Sequence, residues 1–288
     1  MNATDTQSSE KITLSDKDFQ RLSQFIEATS GIQMPLSKKS MLTARIQKRL
    51  RLLKLHSFTE YVDWVLDPQD TTQELIHFLD IVTTNKTDFF REPNHFTYMT
   101  DTALPDLMQG AGAGSSRPFR IWSAPCSTGE EPYTMAMVLK EFALRNSGFK
   151  AQILGTDLST RALQHAENAV YDMEKADPVP LPLKHKYMLR SKDRAQPRVR
   201  MTPEIREMVR FQHLNFMDSE YRIAQPMDII FCRNCLIYFD RPTAEKIVNK
   251  LCRHLIPGGY LFIGHSETLN KLQVPVSAVA PTIYQLQK

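Results

Sequence analysis

The chain has 288 residues, of which 42% are hydrophobic and 24% charged, and its formal net charge is +4. This composition is typical of a soluble globular protein with one large domain or two modest ones. No apolar run reaches the roughly 18 residues of a membrane span, and the polar N-terminus lacks the hydrophobic core of a secretory signal. We therefore expect a cytoplasmic protein without direct membrane insertion, in which residues 1–11 form a disordered tail.

The four cysteines give little indication of a metal or redox site. Cys232 and Cys235 form a C-x-x-C pattern inside an apolar run, but no second such pair completes a zinc site. Reduced thiols are the usual state of cysteine in the cytoplasm. We expect two half-buried thiols here and no bound metal.

Residues 12–80 show the periodicity of an all-α domain. Ser15 is a predicted N-cap of the first helix, and Gly31 is predicted to end it. Further helices are predicted over residues 38–55, 58–65 and 75–82.

The second of these helices carries a basic stripe, Arg45, Lys48 and Arg49, beside its apolar face. Between residues 33 and 59 the chain has seven Lys or Arg and no acid. A solvated basic face is one interpretation of this pattern. The other is a docking surface for an acidic partner helix or for nucleic acid.

After residue 100 the pattern changes to strands that alternate with helices. This alternation predicts a mostly parallel sheet with right-handed crossovers. Helices are predicted to begin near Glu130, Ser159 and Pro242, and the last of them to end at Pro257-Gly258-Gly259. Strands are predicted at 119–122, 151–155, 209–216, 227–232 and 260–263, with one or two edge strands within 276–286.

The segment from Tyr171 to Val209 does not follow this alternation. It has five prolines and no glycine, and between Lys184 and Arg200 it has seven basic residues against the single acid Asp193. Such a length is unusual for a simple connection, so an inserted subdomain is predicted. Its charge is typical either of a solvated face or of a second contact with a partner.

The stretch from Phe119 to Met137 predicts a strand that turns tightly into a helix. Backbone N–H groups at such a turn bind nucleotide-like ligands at the carboxyl edge of a sheet. Gly129 stands alone where a dinucleotide site would have three glycines, and Glu130 and Glu131 would repel a pyrophosphate. Three interpretations therefore stay open: S-adenosylmethionine, a phosphate ligand, and a strand–turn–helix without a ligand.

Polar residues follow the other predicted strands. Asp157 ends the second strand, 28 positions after Gly129, where an acid binds the ribose hydroxyls in nucleotide-type folds. An acid favoured by the dipole of the following helix is the alternative. The pair Asn215-Phe216 could contact an adenine ring, and Arg233 and Asn234 offer polar groups after the fourth strand.

Four motifs occur in order along the chain, and together they resemble the bacterial chemotaxis-receptor glutamate methyltransferases, the CheR family. The likeness runs from about residue 12 to the end. The motifs are Thr83-Thr-Asn-Lys-Thr-Asp-Phe-Phe-Arg-Glu92, Trp122-Ser-Ala with Ser127-Thr-Gly-Glu-Glu-Pro-Tyr133, Phe231-Cys-Arg-Asn with Ile237-Tyr-Phe-Asp240, and Gly264-His-Ser-Glu267.

The resemblance implies an α/β fold in which a class I S-adenosylmethionine-dependent methyltransferase sheet, Rossmann-like, follows an all-α domain. It implies a helical domain over 12–80, a linker over 81–98 that contributes to the cofactor site, and a methyltransferase domain over 99–288 with a β-subdomain inserted at about 172–208. Arg91 and Tyr238 are implied beside the transferred methyl group, while His265-Ser266-Glu267 are expected to be structural. The implied cofactor contacts are Asn85, Thr87, Arg91, Glu131, Asp157, Asn215, Phe216, Arg233 and Asn234.

The implied reaction transfers the methyl group of S-adenosylmethionine to glutamate carboxylates, leaving S-adenosylhomocysteine. A carboxylate with an ordinary pKa of about 4.3 is already a nucleophile at neutral pH, so no general base is required. Arg91 and Tyr238 are therefore expected to position the reactants. The implied partner is the cytoplasmic helical domain of methyl-accepting chemotaxis receptors. The protein is expected to be a monomer that is recruited to membrane receptor arrays and contacts this domain through the basic stripe.

Two features bear on competing interpretations. Family members that bind a receptor's C-terminal peptide have glycines in the β-subdomain, and this chain has none between Gly155 and Gly258, so that tether is not expected. A methyltransferase of the same fold acting on nucleic acid or on other proteins is one alternative, but the basic segments lack interleaved aromatic residues for base stacking. A non-catalytic S-adenosylmethionine-binding regulatory module is the other.

Overall fold

The computed structural model describes residues 13–67 and 73–287. The tail predicted over residues 1–11 lies outside them. The described residues divide into two compact units, with the boundary between Val82 and Thr83, and each unit has its own hydrophobic core.

The first unit is helical over its described residues, as predicted. The Ser15 hydroxyl accepts the Asp18 N–H at 3.0 Å and so caps the first helix, which ends at Gly31 with a φ of 73° that glycine adopts readily. The helices are α1 (Asp16–Ser30), α2 (Lys39–Leu53), α3 (Phe58–Val65) and α4 (Gln73–Val82), and a 3-10 turn at Leu36–Lys38 precedes α2. Their apolar stripes meet in one core that includes Leu22, Ile26, Leu42, Ile46, Tyr61 and Phe78.

The second unit contains the remaining helices and all the strands of the described residues. Its helices are α5 (Asn94–Tyr98), α6 (Leu104–Ala111), α7 (Glu130–Arg145), α8 (Thr160–Asn168), α9 (Leu181–Tyr187), α10 (Pro203–Arg206) and α11 (Arg241–Cys252). Its strands are β1 (Phe119–Ser123), β2 (Ala151–Asp157), β3 (Val170–Asp172), β4 (Met188–Arg190), β5 (Arg198–Met201), β6 (Val209–His213), β7 (Met227–Cys232), β8 (Leu255–Ile263), β9 (Val276–Ala280) and β10 (Ile283–Leu286). Within the described residues, every helix is too short or too polar to cross a membrane.

The main sheet has seven strands in the order β6-β2-β1-β7-β8-β10-β9. The first five of these run parallel, and β10 pairs antiparallel with both β8 and β9. The carboxyl ends of the five parallel strands therefore lie at one edge, which we call the carboxyl edge. The predicted mostly parallel α/β fold is confirmed.

Both faces of the sheet are covered, as expected of parallel strands. Ile121 and Phe231 point into one core. Their neighbours on the same strands, Trp122 and Ile230, point into a second core on the opposite face. Side chains at the strand ends are thereby held between two packed layers. This packing fixes the loops that leave the carboxyl edge.

Two predicted boundaries are wrong. The strand predicted over residues 209–216 already ends at His213 as β6. Pro257-Gly258-Gly259 lie inside β8 instead of ending the preceding helix, because α11 already stops at Cys252. Gly258 has a φ of 76°, and a Cβ on Gly259 would lie 2.9 Å from the Ile256 carbonyl oxygen. The glycines therefore serve an irregular strand, whose pairing with β7 shifts register between Met227 and Ile229.

The predicted insert forms a separate three-stranded antiparallel sheet in the order β3-β5-β4. It begins at Val170, slightly before the predicted start at 172. Along β5, Val199 and Met201 are buried while Arg198 and Arg200 are exposed, so one face packs inward and the basic face points to solvent.

Candidate functional site

The turn between β1 and α7 lies at the carboxyl edge and requires a glycine. Gly129 has a φ of 96°, and a Cβ there would lie 2.8 Å from the Ala166 Cβ and 2.9 Å from the Tyr171 hydroxyl. The Tyr171 hydroxyl in turn donates to the Thr128 carbonyl oxygen at 2.8 Å. The backbone can therefore approach α8 and the Tyr171 hydroxyl of β3 this closely only without a side chain.

Asp157 ends β2 and ties this turn to the next one. Its Oδ2 accepts the Ser127 N–H at 2.7 Å, and its Oδ1 accepts the Ser159 N–H at 2.9 Å. A carboxylate has about four lone-pair sites in all, so one carboxylate can accept from several donors at once. The Asp157 carboxylate is thus oriented by backbone N–H groups of two turns at the carboxyl edge.

Arg233 follows β7 and is buried with two acids. Its side chain is 1% exposed, and its guanidinium lies 3.4 Å from Glu131 Oε2 and 3.3 Å from Glu92 Oε2. Its Nη2 also donates to the Arg91 carbonyl oxygen at 2.6 Å. Nε faces Glu131 Oε2 without hydrogen-bond geometry, and Nη1 has no hydrogen-bond partner among the described residues, so Nη1 is the buried donor left for a ligand or water.

Glu131 is the acid that joins β1 to this group. Its Oε1 accepts the Ser123 hydroxyl at 2.7 Å. Burial raises the pKa of Glu131 above its usual range, while the Arg233 charge opposes that change. A carboxylate held between a hydroxyl and a guanidinium is suited to bind hydroxyl or ammonium groups of a ligand.

The segment before α5 belongs to the same site. The Asn85 Nδ2 donates to the Ser159 hydroxyl at 3.5 Å, and its carbonyl oxygen accepts the Ser127 hydroxyl at 3.2 Å. The Thr87 carbonyl oxygen accepts from Lys175 at 2.8 Å, and the Arg91 Nη1 donates to the Lys86 carbonyl oxygen at 3.3 Å. The part of the predicted linker from residue 83 onward therefore packs on the loops of the second unit.

The remaining predicted residues lie on neighbouring loops. Asn215 follows β6, and its Oδ1 accepts the Met217 N–H at 2.9 Å. The Phe216 ring lies 6.2 Å from the Phe239 ring. Tyr238 is half-buried and ends a 3-10 turn that begins at Leu236. These side chains share the carboxyl edge with Asp157 and Arg233, although β6 and β7 are separated by two strands.

Two acids that were not predicted as site residues hold the loop after β7. Glu92 Oε1 accepts the Asn234 Nδ2–H and the His265 N–H, each at 3.2 Å. Although burial opposes it, the Arg233 charge holds the pKa of Glu92 below its usual range. Glu267 accepts backbone N–H groups of the same loop. Both acids lie within the four sequence motifs, and that position could have identified them as candidate site residues.

One group of side chains carries metal-ligand atoms. Glu92, His95 and His265 each place one such atom within 4.8 Å of the others. The Arg233 guanidinium lies 3.3 Å from the same Glu92 oxygen, and its positive charge disfavours a cation there. The expectation of no metal stays a prediction.

The basic stripe belongs to the first unit, where two of its members bond to α4. Arg45 Nη1 donates to the carbonyl oxygens of Ile81 and Val82 at 2.7 and 3.0 Å. The Arg49 guanidinium pairs with Glu74, with an Nη2–Oε2 distance of 2.5 Å, and the side chain of Glu74 is 4% exposed. Lys48 is exposed. Arg45 and Arg49 therefore stabilise the helical unit, whatever else the stripe does.

Comparison with known proteins matches both units to one family. Residues 17–83 match the family described as "CheR methyltransferase, all-alpha domain". Residues 85–284 match the family described as "CheR methyltransferase, SAM binding domain". The two matches meet within a few residues of the boundary between the compact units.

Relatives of similar length extend the match over nearly the whole chain. "Chemotaxis protein methyltransferase 2" of Pseudomonas aeruginosa is 38% identical over 268 residues, which cover 93% of this chain and 92% of the relative. "Chemotaxis protein methyltransferase" of Borreliella burgdorferi is 35% identical over 93% of this chain and 94% of the relative. The protein of the same name from Escherichia coli is 34% identical over 98% of this chain and 95% of the relative.

Proposed function

Because this chain belongs to the CheR methyltransferase family, we propose that it methylates glutamate side chains of chemotaxis receptors, using S-adenosylmethionine. The products are a glutamyl methyl ester and S-adenosylhomocysteine. The observation that carries the proposal is the carboxyl edge, where Asp157 at the end of β2, Glu131 at the start of α7 and the buried Arg233 after β7 come together.

The charges at the carboxyl edge fit S-adenosylmethionine. Asp157 would accept the two ribose hydroxyls, because an acid at the end of the second strand has that role in nucleotide-type folds. The buried Nη1 donor of Arg233 would bind the carboxylate of the methionine part, and Glu131 its ammonium. Asn215 and Phe216 would contact the adenine. When bound, S-adenosylmethionine supplies an activated methyl group on a sulfonium.

The acceptor is a glutamate carboxylate, which is ionised at neutral pH and attacks without a general base. One carboxylate oxygen forms a bond to the methyl carbon as the carbon–sulfur bond breaks, and no proton moves. The protein must hold the oxygen about 3 Å from the methyl carbon and in line with that bond. We assign this positioning to Arg91 and Tyr238.

Exclusion of water also favours this reaction. An anion and a cation combine into two neutral products, so water, which stabilises the separated charges, raises the barrier. The Arg233 side chain at 1% exposure and Glu131 at 12% supply a largely dry wall. Arg91 is only partly buried, which suits a side chain that meets an incoming receptor.

We further propose that the helical unit docks on the receptor through the basic stripe. Because Arg45 and Arg49 already bond within the unit, the exposed Lys48 is the member that would contribute most directly to a partner's acidic surface. Such contacts contribute mainly to association rate and specificity, and salt weakens them. Recruitment of the protein to receptor arrays would follow from this contact.

Methyl transfer from tritium-labelled S-adenosylmethionine to receptor cytoplasmic fragments tests the function. A glutamyl methyl ester releases labelled methanol in mild alkali, whereas an N-methyl group survives. We expect alkali-labile label on the receptor fragment. Alkali-stable label, or label on added nucleic acid, would favour a methyltransferase with another substrate. Binding of the cofactor with no transfer to any substrate would favour the regulatory module.

A further inference from the structure

The carboxylate of Glu267 holds the loop that follows β7. We call residues 233–236 the clamped loop. Glu267 Oε2 accepts the Asn234 N–H at 2.8 Å and the Gly264 N–H at 2.6 Å, while Oε1 accepts the Leu236 N–H at 2.6 Å. The residue is 7% exposed. One buried carboxylate thus satisfies three backbone donors from two different loops.

The clamped loop is strained and closely packed where this carboxylate meets it. Asn234 has a φ of 58°, in the left-handed region that non-glycine residues rarely adopt. A Cβ on Gly264 would lie 2.4 Å from Asn234 Nδ2 and 2.8 Å from Asn234 N. A conformation of this kind persists only when its surroundings fix it, and here Glu267 and Glu92 bond the same residue from two sides.

Two groups of the proposed site depend on this loop. Arg233 and Asn234 lie on it, and the Arg233 side chain faces Glu131. Glu267 also accepts the N–H of Leu236, which is the first residue of the 3-10 turn that ends at Tyr238. The position of Glu267 therefore determines both where the cofactor-binding donors point and where the acceptor-side hydroxyl lies.

We propose that Glu267 is a positioning residue for methyl transfer, acting through the clamped loop on Asn234 and Tyr238. This inference rests on the proposed function of the same site. Glu267 contacts neither reactant. Its carboxylate aligns the cofactor side and the acceptor side of the site with each other.

Replacing the carboxylate by an amide separates this role from simple packing. In Glu267→Gln the shape is kept, but one oxygen becomes an NH2 group that cannot accept an N–H bond. At least one of the three backbone donors then loses its partner, and the loop can leave the left-handed conformation at Asn234. Loss of a hydrogen bond to a charged group changes an equilibrium constant by roughly ten- to a hundredfold.

A matched control removes a similar bond elsewhere in the same unit. Glu245 Oε2 accepts the Gln273 N–H at 2.9 Å, so Glu245→Gln removes the charge of a carboxylate that also bonds a backbone donor. The full chain and both variants are compared by kcat, by KM for S-adenosylmethionine, by calorimetric affinity for S-adenosylhomocysteine and by thermal unfolding. We expect Glu267→Gln to lower kcat by about ten- to a hundredfold and to weaken the affinity. Glu245→Gln should change stability alone.

A second variant keeps the inference falsifiable if Glu267→Gln does not fold. Gly264→Ala keeps the Glu267 side chain but places a Cβ against Asn234, which displaces the clamped loop, so it should lower kcat in the same way. The positioning role would be overturned if folded Glu267→Gln had the same kcat and the same affinity for S-adenosylhomocysteine as Glu245→Gln. If only Gly264→Ala folds, the same result in that variant would overturn it. If the unaltered chain binds no S-adenosylhomocysteine, it is the proposed function that fails.

Discussion

Replacing Asp157 by alanine should weaken binding of S-adenosylhomocysteine in addition to lowering stability. The structure places both Asp157 oxygens at the carboxyl edge, with Ser127 N–H on one and Ser159 N–H on the other. In the proposed complex each oxygen also accepts a ribose hydroxyl. Alanine removes both acceptors and frees two backbone donors at once.

The size of the effect follows from the number of bonds. A hydrogen bond to a charged group contributes about 1.5–3 kcal/mol, so two ribose bonds contribute about 3–6 kcal/mol. Bonds that share one carboxylate are not additive, which favours the lower end. We therefore expect the affinity to fall at least about a hundredfold, since 1.4 kcal/mol corresponds to about tenfold.

Calorimetric titration of the full chain with S-adenosylhomocysteine measures this directly. Asp106→Asn is the matched control, because the Asp106 carboxylate bonds the Tyr260 hydroxyl at 2.8 Å and the Gln285 amide at 3.2 Å in the same unit. The control should bind as the parent does. An Asp157 variant that is folded and binds with unchanged affinity would refute the ribose assignment.

Three further predictions concern Tyr238, Lys48 and His95. Tyr238→Phe should lower kcat more than affinity for S-adenosylhomocysteine, because its hydroxyl is assigned to the acceptor; equal losses in both quantities would contradict that. Lys48→Glu should raise KM for a receptor fragment severalfold at low salt and leave cofactor affinity unchanged, and an unaltered KM would exclude Lys48 from docking. Burial lowers the pKa of His95 from 6.5 to about 4, so the unfolded chain binds more protons between these values. Stability should therefore fall as the pH is lowered from 6.5 toward 4, and His95→Gln should flatten this part of the profile in equilibrium denaturation; an equally steep profile in the variant would assign the effect to other groups.

Much of the fold could be predicted because local chemistry determines it. Ser15 and Gly31 bound the first helix, and Ser159 caps α8, because these residues satisfy helix ends directly. The alternation of apolar strands and helices predicts the parallel sheet, and the ordered motifs predict the family. The fold class and the family were both confirmed.

The error at β8 has a physical cause. A proline followed by two glycines is typical of a helix end, and nothing local distinguishes that use from an irregular strand. The two uses are distinguished by how closely Gly259 approaches β7. A Cβ placed on Gly259 would lie 3.0 Å from the Asp228 carbonyl oxygen. That contact comes from a strand distant in the chain.

The roles of Glu92, Glu267 and Arg49 could not be predicted for a related reason. Each side chain bonds to a group far from it in sequence, such as Arg49 with Glu74 and Glu267 with Asn234. A motif or a charge pattern shows which residues are present but not which distant partner they meet. The charge pattern of the basic stripe accordingly predicted a docking surface, but Arg45 and Arg49 bond within their own unit.

The account's central claim is that the carboxyl edge binds the methyl donor. A crystal structure of the chain with S-adenosylhomocysteine tests it most directly. We predict the ribose hydroxyls within hydrogen-bond distance of the Asp157 carboxylate, and the sulfur facing the space between Arg91 and Tyr238. A ligand bound elsewhere, or a ribose directed away from Asp157, would contradict the account.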